Sequence, residues 1–413
     1  MARRFGGGVS RVEKTAGRVG LRERFHHGQP RPMTISLPVP RGDPADPRDG
    51  EAFLLFEDGI GRCAAGDLAG AIAAWERAIA LDPTLVEAWV HLGDARSQRS
   101  EFDEATRALR EAIERRPDDS RPWFELGRVL EASGDLEEAA TAYRRALASD
   151  DRLVEAWNNL GNVHAWTGQH NRALDCYRRA IDLREDRFEI WLNLGNAYVG
   201  LGRSQDAVEV YGRALELAPD ASDGWYGLAY AHACLGDLDR AIEGYQRAAD
   251  LIPDDYEAWY NLGHAYSDLG QDAASAAAYR RALERRADDH EAWNNLGNAL
   301  LRLETRDQAL DCYRRALELK PDYDVSWNNL GNALEELGRL TDATEAYGRA
   351  VELCPRRPTY RLNRASAFAR TGRNEEAVED LVEALEMAPE IRGLLSSFAE
   401  FTPLLRNSRL RGN

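Results

Sequence analysis

Trp157, Leu160, Gly161 and His164 stand at i, i+3, i+4 and i+7, the spacing that gathers side chains on one face of an α-helix. Ala173, Tyr177 and Ala180 then repeat the stripe at i, i+4 and i+7. The same two stripes return with a fixed period. Trp89, Trp123, Trp157, Trp191, Trp225, Trp259, Trp293 and Trp327 follow one another at 34-residue intervals without insertion or deletion, each with a Leu three residues on. A Gly follows that Leu in every period but one, where Ala229 stands instead. Each period therefore predicts two amphipathic helices. Gly or Ala at three fixed places lets their backbones approach, while Trp and Tyr fill the space between neighbouring periods. On this reading Trp259→Ala opens a core cavity and costs roughly 3–5 kcal/mol.

The polar punctuation agrees with the apolar stripes. Gly66, Gly134, Gly168, Gly202, Gly236, Gly270, Gly338 and Gly372 fall between the two helices, where a left-handed residue closes a helix. Asp67, Asp135 and Asp237 follow three of them and are expected to cap the next helix. Pro83, Pro117, Pro219, Pro253, Pro321, Pro355 and Pro389 recur in phase and stop the second helix. Glu304 takes the turn-glycine place in one period, with no sequence reason for it.

Trp157, Leu160, Gly161, Ala173, Tyr177 and Ala180, with their equivalents, resemble the tetratricopeptide repeat. Carried outward in phase, the lattice gives ten repeats from Ala52 to Ile391. The expected fold class is all-α: a right-handed superhelical solenoid of about ten 34-residue helix-turn-helix repeats with a C-terminal capping helix. Three segments are expected: a disordered basic, Pro/Gly-rich leader over 1–50, the array over 51–391, and a capping helix with a short basic tail over 392–413. Repeat one has Leu55 and Asp58 at the Trp and Leu places, and repeat ten has Arg361 and Arg364, as terminal repeats are expected to be atypical. Ile391, Leu394, Leu395 and Phe398 mark one face of the capping helix, which Pro403 ends.

Charge narrows the range of partners. Of 413 residues, 53 are Lys or Arg and 70 are Asp or Glu. The leader is basic, with Arg3, Arg4, Arg11, Lys14, Arg18, Arg22, Arg24 and Arg31, so residues 51–389 hold 39 basic against 63 acidic side chains. Nucleic-acid binding by such an array is disfavoured, because it depends on neutralising phosphates, and a basic or Arg-containing protein partner is favoured. The leader reads as a solvated tail, with contact to nucleic acid or anionic lipid as the alternative. It also contains Met33, a second possible start, and the tripeptide Arg41-Gly42-Asp43, read as chance. No stretch approaches the roughly 18 apolar residues of a membrane span, and the first 30 residues lack a signal core. Cys63, Cys176, Cys234, Cys312 and Cys354 are scattered, without a disulfide or zinc pattern, which points to a reducing, cytoplasmic setting.

Catalytic motifs are missing. There is no phosphate-cradling loop, no His-Glu-x-x-His, no nucleophile elbow and no calcium loop, and the only lysines are Lys14 and Lys320. No enzyme activity, cofactor or metal is expected. His164, His232, Cys176 and Cys312 read as packed residues.

The candidate site lies on the first helix of each repeat, away from its packing stripe. The tetratricopeptide resemblance implies that this side lines a concave groove. It carries Asn158, Asn159 and Asn162 in repeat four, Asn193 and Asn196 in repeat five, Asn261 in repeat seven, Asn294, Asn295 and Asn298 in repeat eight, and Asn328, Asn329 and Asn332 in repeat nine. Asparagine is a mediocre helix former, and an exposed ladder of amides offers donors and acceptors to an extended peptide backbone. Tyr226, Tyr230 and Tyr260, with Trp166, are candidate specificity anchors. The ladder resembles the repeat domain of O-linked N-acetylglucosamine transferase without its catalytic part. A carboxylate clamp of the chaperone-adaptor type is incomplete: Asn162 with Asn193 and Asn298 with Asn329 match its asparagines, but Asn158, Asn294, Thr359 and Asn363 stand at its Lys and Arg places. The expected function is a non-catalytic scaffold or adaptor that holds an extended partner segment. The alternatives are a regulatory or substrate-recruiting subunit of an enzyme on a separate chain, and a self-associating structural protein.

Overall fold

The computed structural model describes residues 47–410, and among these every regular element is a helix. The leader expected over 1–50 lies outside the described residues except for its last four, which open the helix Pro47–Ala64. The chain divides into two compact units between Pro219 and Asp220. The first holds repeats one to five, the second repeats six to ten and the C-terminal cap.

Repeat four shows the local rule. Its first helix, Val154–Trp166, and second helix, His170–Leu183, are joined by a turn in which Gly168 takes φ +76°. Seven other turn glycines do the same. Glu304 and Ser100 occupy this left-handed place without being glycine, at φ 59° and 60°. Asp67 and Asp237 cap the following helices by accepting from the Gly70 and Arg240 amides. Asp135 does not cap its helix; its carboxylate accepts from Ser133 Oγ at 3.0 Å instead.

Within each unit, successive helices pack as neighbours along the chain. Their core is made by the second-helix tyrosines. Tyr143, Tyr177, Tyr211, Tyr245, Tyr279, Tyr313 and Tyr347 are all essentially buried. Gly127, Gly161, Gly195, Gly263, Gly297 and Gly331 each make room for one of them, while Gly93 does the same for Leu109: a Cβ on Gly161 would lie 2.5 Å from the Tyr177 ring, and one on Gly297 2.6 Å from Tyr313. Repeat one follows the same plan with Trp75 at the tyrosine place, facing Gly59. In repeat six the first helix has Ala229, and the facing second-helix residue is Gly244, whose missing Cβ would lie 2.8 Å from that of Ala229. The methyl group has moved from one helix to the other.

The lattice tryptophans are only half-buried. Their indole N–H groups reach the loop before their own helix: Trp157 donates to Asp151 O at 2.8 Å, and Trp259 to Pro253 O at 3.0 Å. They fasten loops to helices and share the core instead of filling it. The cavity expected from Trp259→Ala is correspondingly smaller.

At the C-terminus the chain covers the last repeat with short helical turns in place of one continuous helix. These are Pro389–Ile391, Arg392–Leu395, Leu404–Arg406 and Ser408–Leu410. Ser396 and Ser397 hydroxyls donate to the Gly393 and Leu394 carbonyls, competing with helix continuation. Leu395, Phe401, Leu404 and Leu410 are buried against Phe368, Leu381 and Leu385, whereas Leu394 faces solvent. In repeat ten, Arg361 and Arg364 take the Trp and Leu places and converge on buried Asp380. Arg364 holds it through two hydrogen bonds of 2.7 Å.

Candidate functional site

The first helices place the asparagines in two rows. Four of them, Asn162, Asn196, Asn298 and Asn332, stand five residues after the lattice Trp. Each accepts through Oδ1 from the buried tyrosine of its own second helix: Tyr177 at 2.7 Å, Tyr211 at 2.5 Å, Tyr313 at 2.8 Å and Tyr347 at 2.8 Å. The amide is thereby oriented with its NH2 turned away from the tyrosine. These Nδ2 atoms make no hydrogen bond among the described residues and none of them is fully buried, so their donors reach solvent.

The second row links consecutive repeats. In the first unit, Asn193 Nδ2 donates to Asn158 Oδ1 at 3.0 Å, and Asn158 Nδ2 donates to Asn159 Oδ1 at 3.3 Å. Asn159 Nδ2 donates to Tyr143 Oη at 3.3 Å. In the second unit, Asn329 Nδ2 donates to Asn294 Oδ1 at 3.0 Å, and Asn295 and Asn261 donate to the hydroxyls of Tyr260 and Tyr226 at 3.2 and 2.9 Å. Asn328 Oδ1 accepts from Asn363 at 2.8 Å. The donor in this row is satisfied internally, and Oδ1 of Asn193, Asn261 and Asn329 has no intramolecular partner among the described residues.

The expectation of a fully exposed ladder needs correcting. Asn294 and Asn328 are buried, at 2% and 3% exposure, because their amides bond to the next repeat. Tyr226 and Tyr230 are buried as well and cannot act as accessible anchors. Tyr226 packs edge-on against Tyr245, with centroids 5.5 Å apart. Tyr260 is half-buried and lies against both Tyr256 and Tyr279. Trp166 is half-buried and packs on the core of repeats two to four. Asn158, Asn159, Asn162, Asn193, Asn196, Asn261, Asn295, Asn298, Asn329 and Asn332 remain half-exposed.

Neighbouring charges on the second unit's helices are mostly paired: Arg302 with Asp272, Glu336 with Arg306 and Arg370 with buried Glu335. In repeats two and three the asparagine places hold His91, Asp94, Glu125 and Arg128, which sequence reading passed over because their residue types differ while their phase is the same. Arg128 donates to Glu125 at 2.7 Å and lies 3.8 Å from Asp94. Burial pushes the Glu125 carboxyl above its ordinary range, opposed by Arg128. His91 lies against Phe56 and Trp75 with Arg121 beside it, and burial lowers it to about 4. Burial also lowers His164 and His232, and pushes the Cys176 and Cys312 thiols up to about 11, which leaves them protonated and packed. The described residues contain no group of side chains arranged to hold a metal ion, and no helix among them is long and apolar enough to cross a membrane.

Stacked helix pairs with an in-phase glycine–tyrosine core define a helical repeat protein. Family models agree on which one. Tetratricopeptide-repeat models match residues 62–99, 92–153, 256–289, 290–323 and 328–390, and a model of the C-terminal domain of cilia and flagella-associated protein 70 matches 151–262. The chain is built of tetratricopeptide repeats. Among solved structures it is similar to MamA (24% identity, TM-score 0.39, covering 41% of this chain and 93% of that one). It is also similar to YrrB, described as a TPR protein with an unusual peptide-binding site (22%, 0.36, 54% and 96%). A third is the C-terminal part of a TPR repeat-containing protein from Cytophaga hutchinsonii (18%, 0.49, 60% and 99%). No curated protein matches the sequence.

Proposed function

We propose that the chain is a non-catalytic scaffold or adaptor whose first-helix face holds an extended segment of a partner protein by its backbone. One observation carries this reading: within each unit the internal bonds leave outward donors (Asn162 and Asn196 in the first, Asn298 and Asn332 in the second) alongside outward acceptors (Asn193 in the first, Asn261 and Asn329 in the second). An extended backbone presents the complementary C=O and N–H groups at every residue, and prepositioned amides lose little entropy on binding. The likeness to the ladder of O-linked N-acetylglucosamine transferase supports the same use. The acidic balance of residues 51–389 favours a basic partner through long-range steering, and a cytoplasmic setting follows from the sequence reading. A regulatory subunit of a separate enzyme would use the same face.

The test keeps the tyrosine bonds and removes the donors. Asn162→Asp, Asn196→Asp, Asn298→Asp and Asn332→Asp together leave an acceptor for each phenol but no NH2. Pull-downs from native lysate with the wild-type and fourfold variant, at low and high salt to separate the added charge, are expected to lose the bound partner with the variant at both salts. Equal recovery would overturn the reading.

A further inference from the structure

One cleft opens in each unit beside the second helices, at equivalent places in repeats three and nine, with volumes of about 560 and 580 Å³. Each has a lattice Trp and two leucines on its floor: Trp123, Leu126 and Leu130 in one, Trp327, Leu330 and Leu334 in the other. Their rims differ in charge. The repeat-nine cleft balances Arg314, Arg339 and Arg349 against Asp342, Glu345 and Glu352, and the guanidinium of Arg349 lies 6.0 Å from the Trp327 ring centroid. The repeat-three cleft sets Glu114, Glu137 and Glu138 against Arg110 alone. Arg110 pairs with Glu138 at 3.2 Å, which leaves Glu114 and Glu137 without an ion-pair partner among the described residues.

The chain supplies its own guanidinium over three lattice tryptophans, Arg115 over Trp89 at 5.0 Å, Arg247 over Trp225 at 5.8 Å and Arg349 over Trp327, whereas Trp157, Trp191, Trp259 and Trp293 have none among the described residues and do not line the acidic-rimmed cleft of Trp123. Trp123 has no such cation among the described residues. Its cleft combines an aromatic floor, an apolar wall and two uncompensated carboxylates. These are the elements that attract a guanidinium, through the ring quadrupole and through charge-assisted hydrogen bonds. A planar guanidinium stacks on indole and forks to carboxylate better than an ammonium does.

We propose that the second-helix cleft of repeat three is a docking site for an arginine-bearing peptide of a partner protein, with the arginine seated over Trp123 between Glu114 and Glu137. This site is separate from the asparagine face and does not depend on it. The probe is a fluorescent Gly/Ser peptide carrying one central Arg and an adjacent photo-crosslinking residue, offered to the full chain beside versions with citrulline or Lys in place of Arg. Citrulline keeps the shape and removes the charge. The expected result is crosslinking within residues 110–142 for the Arg peptide, at least tenfold weaker binding for citrulline, and intermediate binding for Lys. Glu114→Gln with Glu137→Gln, both at exposed positions, should reduce Arg-peptide binding at least tenfold without changing the melting temperature. Equal binding of citrulline, binding unaffected in the double variant, or crosslinks centred elsewhere on the chain would each overturn the proposal. So would displacement of the Arg peptide from this cleft by the chain's own N-terminal segment or by a second copy.

Discussion

Glu304 and Ser100 show how strictly the turn is held. Both take a left-handed conformation that costs a side-chain-bearing residue about 1–2 kcal/mol, part of which glycine gives back as greater freedom in the unfolded chain. Glu304→Gly and Ser100→Gly are each expected to stabilise by roughly 0.5–1 kcal/mol in urea unfolding, and a loss of stability would show that the side chain contributes something the backbone geometry does not reveal. Ala229 and Gly244 make a second case at this scale. Gly244→Ala brings two methyl carbons to 2.8 Å and is expected to destabilise by about 1–3 kcal/mol. Ala229→Gly added to it restores the arrangement of the other repeats. A double-mutant cycle should give a favourable coupling of about 1 kcal/mol or more, and simple additivity would contradict the swap.

At the scale of helices, most of the fold was legible in the sequence because one physical problem, packing a buried ring against a close-approaching helix, recurs with fixed spacing. Trp157, Gly161 and Tyr177 announce it directly. The division of labour between Trp and Tyr was not legible, since an aromatic on an apolar stripe gives no sign of whether its far edge meets solvent. The C-terminal cap was misjudged in form because four apolar residues at helical spacing outweighed Gly393, Ser396 and Ser397 between them. The asparagine rows were visible as residues but not as bonds. Asn298 pairs with Tyr313 and Asn295 with Tyr260, and those distances depend on how helices abut, which spacing along one helix does not encode. Tyr226 and Tyr230 read as exposed for the same reason: repeat six replaces an asparagine pattern with aromatics that turn inward.

At the scale of the first unit as a whole, His91 ties stability to pH. Its folded-state value, about 4, lies below the ordinary imidazole value because it is buried, with Arg121 adding to the effect and Glu87 opposing it. The unfolded chain therefore binds the proton first. The stabilisation is complete above about pH 6.5 and declines as pH falls towards 4, by on the order of 3 kcal/mol. Urea unfolding of the wild-type and of His91→Gln should diverge in slope between pH 7 and pH 4.5, with the wild-type losing more; parallel profiles would remove His91 from the account.

Backbone recognition is tested most directly by the affinity of a captured partner segment made as three peptides: native, sequence-scrambled, and native with alternate backbone nitrogens methylated. Recognition by the open amide oxygens of Asn193, Asn261 and Asn329 requires backbone N–H groups. Methylation is expected to weaken binding at least tenfold while scrambling changes it little. Tight binding of the methylated peptide, with loss on scrambling, would mean that side chains and not the backbone are read.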